Sequence, residues 1–140
     1  MASLTSIRNG LKTRLDTIDK LQALAERVSN PTPPTAWVTP GDPVVEYDVT
    51  MGRGLDKWNM VIEIFVGLAN DRGAQKRLDS FLASSGASSI KAAVEGDRTL
   101  AGVCDDLRVT RIDGYADYEL GAKGAVIGCR AHIEIYAQGD

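Results

Sequence analysis

Residues that build catalytic and metal sites are scarce in this 140-residue sequence. It contains one histidine, His132, and two cysteines, Cys104 and Cys129, which have neither CxxC spacing nor a neighbouring histidine pair. No serine or cysteine lies in a nucleophile-elbow context, and the glycine-rich segments at 52–54 and 121–124 fit neither the phosphate-binding nor the dinucleotide-binding motif. The sequence therefore predicts a protein that is not an enzyme, with no catalytic residues, metal site or cofactor.

Long apolar runs and an excess of basic residues are also missing. The longest apolar stretches fall far short of the ~20 residues that a membrane span needs, and the opening MASLTSIRNGLKTRL lacks the apolar core of a secretory signal. Lys and Arg number 16 against 19 Asp and Glu, a net charge of −3, so affinity for nucleic-acid phosphates is not expected. We expect a protein that folds in the cytoplasm without a membrane partner.

The cysteines and one carboxylate pair have simple structural interpretations. Cys104 and Cys129 are expected to be small buried residues, with a disulfide or a metal site as the alternatives. Asp105 and Asp106 are adjacent, so in a strand they would point to opposite faces and would not share a metal. We expect this pair to end a loop.

The opening residues form an amphipathic pattern. Apolar residues recur at steps of three and four from Leu4 to Ile18, which predicts a helix over about 4–17, with Ser3 or Thr5 as its N-cap and a possible extension towards Arg27. Covering a sheet is the expected role of this helix. A membrane-surface helix is the alternative, although the apolar face is small and has no aromatic residue.

All five prolines lie between Pro31 and Pro43. This concentration is incompatible with a helix or a central strand, and it predicts an extended arm over 31–43 with a short edge strand at 36–38. The arm could simply link the first helix to the sheet. Alternatively, an exposed Trp37 could lie on a neighbouring subunit.

Alternation predicts three of the strands. Residues 44–47 are a strand candidate, and the even positions from Trp58 to Val66 form the apolar face of a strong strand. The two would make a hairpin whose tip, about 48–56, holds the glycine-rich turn Met51–Leu55. In the last strand, Ile127 to Ile135 are apolar at odd positions, while Arg130, His132, Glu134 and Tyr136 form a polar face that would meet solvent or a partner.

A pair of helices is expected between these strands. Asp71 would cap a helix with Ala74, Leu78, Phe81 and Leu82 on one face, ended by Gly86. Ser88 or Ser89 would cap a second helix that buries Ile90, Ala93 and Val94 and stops at Gly96.

The segment 107–124 is predicted to be a strand followed by a long loop. Leu107, Val109 and Arg111 share one face of the strand, and the loop IDGYADYELGAKG occupies 112–124. A loop of this length usually has a function or is mobile. Its tyrosines suit protein contacts because they bring a large contact area at a low entropy cost. A solvated acidic loop is the alternative.

The whole order of elements predicts an α+β domain over 1–140: a small, mostly antiparallel sheet of four to five strands, with the N-terminal helix and the central helix pair packed on it.

Six segments carry a resemblance to a known family. They are LTSIRNGLKTRL, TPGDPVVEYDVT, KWNMVIEIFVGL, DRGAQKRLDSFL, SGASSIKAAVEGDRTLAGVCDDLRVTRI and GAVIGCRAHIEIYA. In this order, over nearly the whole chain, they resemble the tail terminator (tail-to-head joining, or tail completion) proteins of siphophages, the phages with long non-contractile tails. SSIKAAVEGDRTL followed by DLRVTRI is the most specific part.

The resemblance implies a structural virion protein that forms a ring, typically of six subunits, at the head-proximal end of the tail. The ring would end tail-tube growth and would join the tail to the neck of the filled head, and DNA would pass through it without specific binding. The implied partners are further copies of the chain, the tail tube protein and a connector or stopper protein. From exposure and length, the expected contact residues are Trp37, Met51, Arg53, Leu55, Tyr115, Tyr118 and Glu119. The alternatives are another head–tail connector, such as a stopper, and a cellular small-molecule-binding α/β module.

Overall fold

Five strands form one mixed, mostly antiparallel sheet in the computed structural model, which describes residues 3–18, 21–25, 34–47, 54–68, 72–119 and 125–138. Along the chain the elements are α1 (Leu4–Leu15), β1 (Gln22–Leu24), β2 (Thr35–Glu46), β3 (Leu55–Leu68), α2 (Arg72–Phe81), α3 (Ile90–Glu95), β4 (Asp106–Glu119) and β5 (Ala125–Gln138). The strand order is β1-β2-β3-β5-β4, with only the β1–β2 pair parallel. The predicted α+β class is confirmed.

Helix α1 begins where the sequence predicts. Ser3 and Ser6 form a capping box, in which the Ser6 amide donates to Ser3 Oγ at 3.1 Å and the Ser3 amide donates to Ser6 Oγ at 2.9 Å. Ile7, Leu11 and Leu15 are buried against the sheet. The predicted extension towards Arg27 is wrong. Strand β1 occupies Gln22–Leu24 and pairs with β2, and three residues are too few to show a period in the sequence.

From Thr35 onwards the proline-rich segment is part of a strand, and Ala36 and Trp37 are not at the edge of the sheet. β2 pairs with β1 over Thr35–Trp37 and with β3 on its other side. Pro40 and Pro43 lie beyond the end of β1. On that side of β2 no strand is paired with them, so the N–H that proline lacks removes no hydrogen bond there. On the β3 side, the register shifts between Pro40 and Val45. The expectation that prolines exclude an inner strand is therefore wrong for residues 35–37. Pro31 and Pro33 lie outside the described residues.

Strand β3 confirms the predicted hairpin and its apolar face. Met60, Ile62, Ile64 and Val66 are buried in the main core, with Trp58 packed against it. β3 begins at Leu55, earlier than the predicted tip allows, and most of that tip, 48–53, lies outside the described residues.

Helix α2 buries the residues that the sequence predicts, but it ends early. Ala74, Leu78 and Phe81 are buried, and the amide of Leu82 donates to the Asp79 carbonyl at 3.1 Å in a tighter closing turn. Gly86 therefore does not end the helix; it lies in the following turn with φ of +108°. The predicted cap Asp71 lies outside the described residues.

Helix α3 has the predicted caps. Ser89 Oγ accepts from the Ala92 amide at 3.0 Å, Gly96 is the C-cap, and Ile90, Ala93 and Val94 are buried. The next turn is unusual because Leu100, Ala101 and Gly102 all have positive φ. This conformation buries Leu100 against α1 at Gly10, where an added Cβ would lie 3.0 Å from Leu100 Cβ.

The predicted strand at 107–111 is confirmed as part of β4. This strand also replaces the predicted loop over 112–119, whereas 120–124 lie outside the described residues. It continues to Glu119, with register shifts between Val109 and Arg111 and between Asp113 and Ala116. The first shift turns Arg111 outwards and lets Ile112 pack on the core, so the predicted inward Arg111 is wrong. Two irregularities within a short stretch remove the alternation by which a strand is detected in a sequence.

Strand β5 confirms its predicted pattern, with Ile127, Cys129, Ala131, Ile133 and Ile135 in the main core. Cys104 and Cys129 are both buried free thiols, as expected. Burial raises their pKa values to about 11 and about 12 respectively. A second, small cluster holds Trp37, Phe65 and Val126 on the other side of the sheet.

Candidate functional site

The two faces of the sheet differ in chemistry. The described helices pack on one face, and the main core lies between them and the sheet. We name the opposite side the open face, and it matches the polar face that the last strand predicts. Its charged and polar side chains include Lys57, Asn59 and Glu63 of β3, Arg130, His132 and Glu134 of β5, and Arg108, Arg111 and Asp113 of β4.

Glu134 is the centre of an ion-pair network on the open face. Its carboxylate lies 3.2 Å from Lys57 Nζ and 3.1 Å from Arg108 Nη2, and it accepts from the Tyr136 hydroxyl at 3.1 Å. Lys57 also lies 3.5 Å from Glu46 of β2. Burial by itself raises the pKa of Glu134, but the bonds from Lys57, Arg108 and Tyr136 outweigh it and bring the pKa below its ordinary value.

A second group of charged and polar side chains links β4 to β5, next to the Glu134 network along the strands. His132 Nε2 lies 2.9 Å from Asp113 Oδ1, and Arg111 Nε lies 3.4 Å from Asp113 Oδ2. The hydrogen bond with His132 is the main reason that the pKa of Asp113 lies below its ordinary value. The carboxylate therefore holds two strands together across the first register shift.

Trp37 is buried, so the expectation of an exposed tryptophan is wrong. Its side chain is 5% exposed, and its indole Nε1 donates to Glu63 Oε1 at 2.9 Å. Phe65 packs edge-on against it, with ring centroids 5.2 Å apart. Arg130 Nε lies 3.8 Å from Glu63 Oε2, too far for a hydrogen bond. Trp37 is therefore already buried in the second cluster within a single copy of the chain.

A groove of about 470 Å³ runs across the open face. The β2 segment 40–43 forms one wall, Thr110 and Arg111 form the other, and Val61 lies in the floor. Its volume falls in the range of about 300–1,000 Å³ that is typical of small-molecule sites. Most of the charged groups around it are already paired with one another, so a ligand would have to compete with these ion pairs.

The other predicted contact residues have different surroundings. Tyr115 is 46% exposed and donates to Asp79 Oδ1 of α2 at 3.0 Å. Tyr118 is partly buried, packs on Phe65 with ring centroids 5.4 Å apart and donates to the Gly114 carbonyl. Glu119 is exposed at the end of β4, and Leu55 is half-buried in the first position of β3. Met51 and Arg53 lie outside the described residues.

Each long edge of the sheet has a feature that hinders pairing with another strand. On β4, the outward amide of Val109 donates to Glu95 Oε2 of α3 at 2.9 Å. On β2, prolines and a register shift occupy the edge beyond β1. The role of Glu95 was not predicted, and its only signal in the sequence is its position one residue before the glycine that ends α3.

Within the described ranges, no group of three or more His, Cys, Asp and Glu side chains could hold a metal ion. None of the helices in those ranges has the length and apolar character that a membrane crossing requires.

No protein-family model matches the sequence, and no curated protein matches it significantly.

Proposed function

We propose that this chain is a structural virion protein that forms a hexameric ring at the head-proximal end of a siphophage tail. The ring ends polymerisation of the tail tube and presents a surface to the neck of the filled head. It is assembled in the host cytoplasm and needs no catalytic chemistry. Genomic DNA passes through its lumen, and the net charge of −3 is compatible with a conduit that does not hold phosphates.

One observation carries the proposal. The most specific part of the resemblance, residues 88–112, folds as one constrained unit: a Ser89-capped helix, the positive-φ turn and the start of β4. Asp97 holds this turn by accepting from the amides of Thr99 and Ala101 at 3.2 and 2.9 Å. A backbone of this kind restricts the sequences that fit it, so likeness in this segment supports a shared structure and, through it, a shared role.

The test is negative-stain electron microscopy of the purified protein, alone and mixed with tail tubes assembled without it. Six-fold rings, or a cap on one end of the tubes, are the expected results. A protein that ignores the tubes and binds filled heads would instead be a stopper or another neck component. A protein that binds neither would contradict a role in the tail.

The groove on the open face favours one second candidate, a small-molecule-binding module. Such a module would remain a monomer and would gain thermal stability when its ligand fills the groove. A thermal-shift screen of small metabolites against the monomer separates this function from ring formation.

A further inference from the structure

Two groups of oppositely charged residues lie at opposite edges of the sheet, and three of their members form no ion pair with the residues that the structure describes. Asp117 and Glu119 are exposed at the C-terminal end of β4, and their carboxylates make no hydrogen bond or ion pair within the described part of the chain. We name this pair the acidic edge. Arg8 of α1 likewise makes no ion pair there, and its Nε has no hydrogen-bond acceptor.

Lys12 extends the charge of Arg8 along α1, because residues four apart lie on one side of a helix. We name Arg8 and Lys12 the basic flank. Lys12 lies 2.9 Å from Asp16, but both side chains are 40% or more exposed, so this pair contributes little and can exchange partners.

The basic flank points away from the centre of the molecule. The other flank of α1 faces α3, because Arg14 Nε donates to the Ala93 carbonyl at 2.9 Å and Gly10 contacts Leu100. Helix α1 packs on β1 and β2, whereas α3 packs towards β4. Arg8 and Lys12 therefore lie on the β1 side of the helix layer.

The acidic edge lies on the same side of the sheet as the helices but at its other end. Tyr118 points to the open face, so its neighbours Asp117 and Glu119 point to the helix side. Tyr115 reaches that side as well, where it bonds to Asp79 of α2. In the strand order β1-β2-β3-β5-β4, the two charged groups are at opposite edges of one layer.

We infer that the acidic edge of one copy docks on the basic flank of the next copy, with Tyr115 in the same contact. This inference rests on the proposed ring. Complementary patches at opposite edges make a head-to-tail contact, which is the kind that closes into a ring. Pairing of strand edges is a poor substitute, because Glu95 covers the Val109 amide and prolines occupy the edge of β2.

Charge reversal tests the contact in two directions. Asp117→Lys with Glu119→Lys reverses the acidic edge, and Arg8→Glu with Lys12→Glu reverses the basic flank. Each double variant should lose self-association by at least about tenfold, because like charges then face each other. An equimolar mixture should recover rings, because the two variants can alternate around an even-membered ring with opposite charges at every contact. Sedimentation velocity and electron microscopy measure both effects.

The controls separate this inference from the proposed function. Asp42→Lys with Asp105→Lys changes the net charge by the same amount at exposed positions elsewhere and should leave the rings intact. If the wild type forms rings or caps tubes, but reversal has no effect or the mixture stays dissociated, the docking contact is wrong and the proposed function stands. If the wild type does neither, both are wrong. Recovery in the mixture also shows that the reversed variants are folded.

Discussion

Gly128 of β5 lies directly opposite Phe65 of β3, and the Phe65 ring occupies the space that a side chain on Gly128 would need. A Cβ at this position would come within 2.8 Å of Phe65 Cδ1 and would collide with the Ile64 carbonyl oxygen. The Phe65 ring in turn packs edge-on against Trp37 and Tyr118. The glycine therefore lets the aromatic cluster close against the sheet.

Gly128→Ala should lower the free energy of unfolding by ~2–3 kcal/mol, because a methyl group in a filled site forces backbone or ring movement. Urea denaturation followed by circular dichroism measures the change. Gly67→Ala in β3 is the matched control, since its Cβ would lie 3.1 Å from the end of the flexible Arg77 side chain and should be tolerated. Equal losses in the two variants would contradict this account.

Trp37→Phe should destabilise the isolated chain. The substitution removes the hydrogen bond from the indole to Glu63, a carboxylate that is only 9% exposed, and leaves a gap beside Phe65. We expect a loss of ~2 kcal/mol in urea denaturation, together with loss of a blue-shifted component of the tryptophan emission. Unchanged stability would mean that Trp37 is a surface residue, as the sequence alone suggested.

The sequence predicted the elements in which one periodic pattern runs without interruption. The apolar positions of α1, β3 and β5 are periodic over ten or so residues, and they are buried as expected except for Leu4 and Trp58, which are half-buried. β1 and the continuation of β4 beyond Arg111 were missed for different reasons. β1 is only three residues long, and the bulges in β4 interrupt the alternation twice. β2 is an inner strand only over the residues that pair with β1, and the nearby prolines made this part of the sequence resemble an edge strand.

The candidate site was predictable only in part. Alternation in β5 predicted that Arg130, His132 and Glu134 share a polar face, and they do. Which charges meet on that face depends on the register between strands, and the bulges set that register. The contacts of Asp113 with His132 and of Arg108 with Glu134 therefore could not be read from single strands. The burial of Trp37 likewise depends on contacts between three strands, which the pattern of a single strand does not show.

Ala101→Gly should stabilise the protein. Ala101 is exposed and has φ of +58°, a conformation that costs a non-glycine residue about 1–2 kcal/mol. The substitution removes this cost, but part of the resulting gain in stability is offset by the greater conformational freedom of glycine in the unfolded chain. We expect a net increase of ~0.5–1 kcal/mol, seen as a higher melting temperature.

The adjacent Leu100→Gly provides the contrast. Leu100 also has positive φ, at +50°, but its side chain is 3% exposed in the core, so this variant should be destabilised by ~2 kcal/mol or more. A destabilised Ala101→Gly would show that the turn does not hold this conformation in solution.

The two thiols should be unreactive in the native protein. Burial raises the pKa of Cys104 to about 11 and that of Cys129 to about 12. At pH 8 a thiol with a pKa of about 11 is about one part in a thousand thiolate, the form that attacks disulfides. Ellman's reagent should therefore titrate both thiols only after denaturation in urea. Fast reaction of either thiol in the native state would place it at the surface.

Stability should fall in acid partly through Glu134. Its pKa in the folded protein lies below the ordinary value of 4.5, so its contribution is present above pH 4.5 and is lost as the pH falls through the lower, folded value. At pH 7 the ionised Glu134 is paired with the charged Lys57 and Arg108, so Glu134→Gln should lower the free energy of unfolding by ~1 kcal/mol. The difference between the variant and the wild type should then shrink as the pH falls below 4.5. Asp105→Asn is the control because Asp105 is exposed and in no ion pair among the described residues, and a Glu134→Gln difference that does not change with pH would contradict an ionic role.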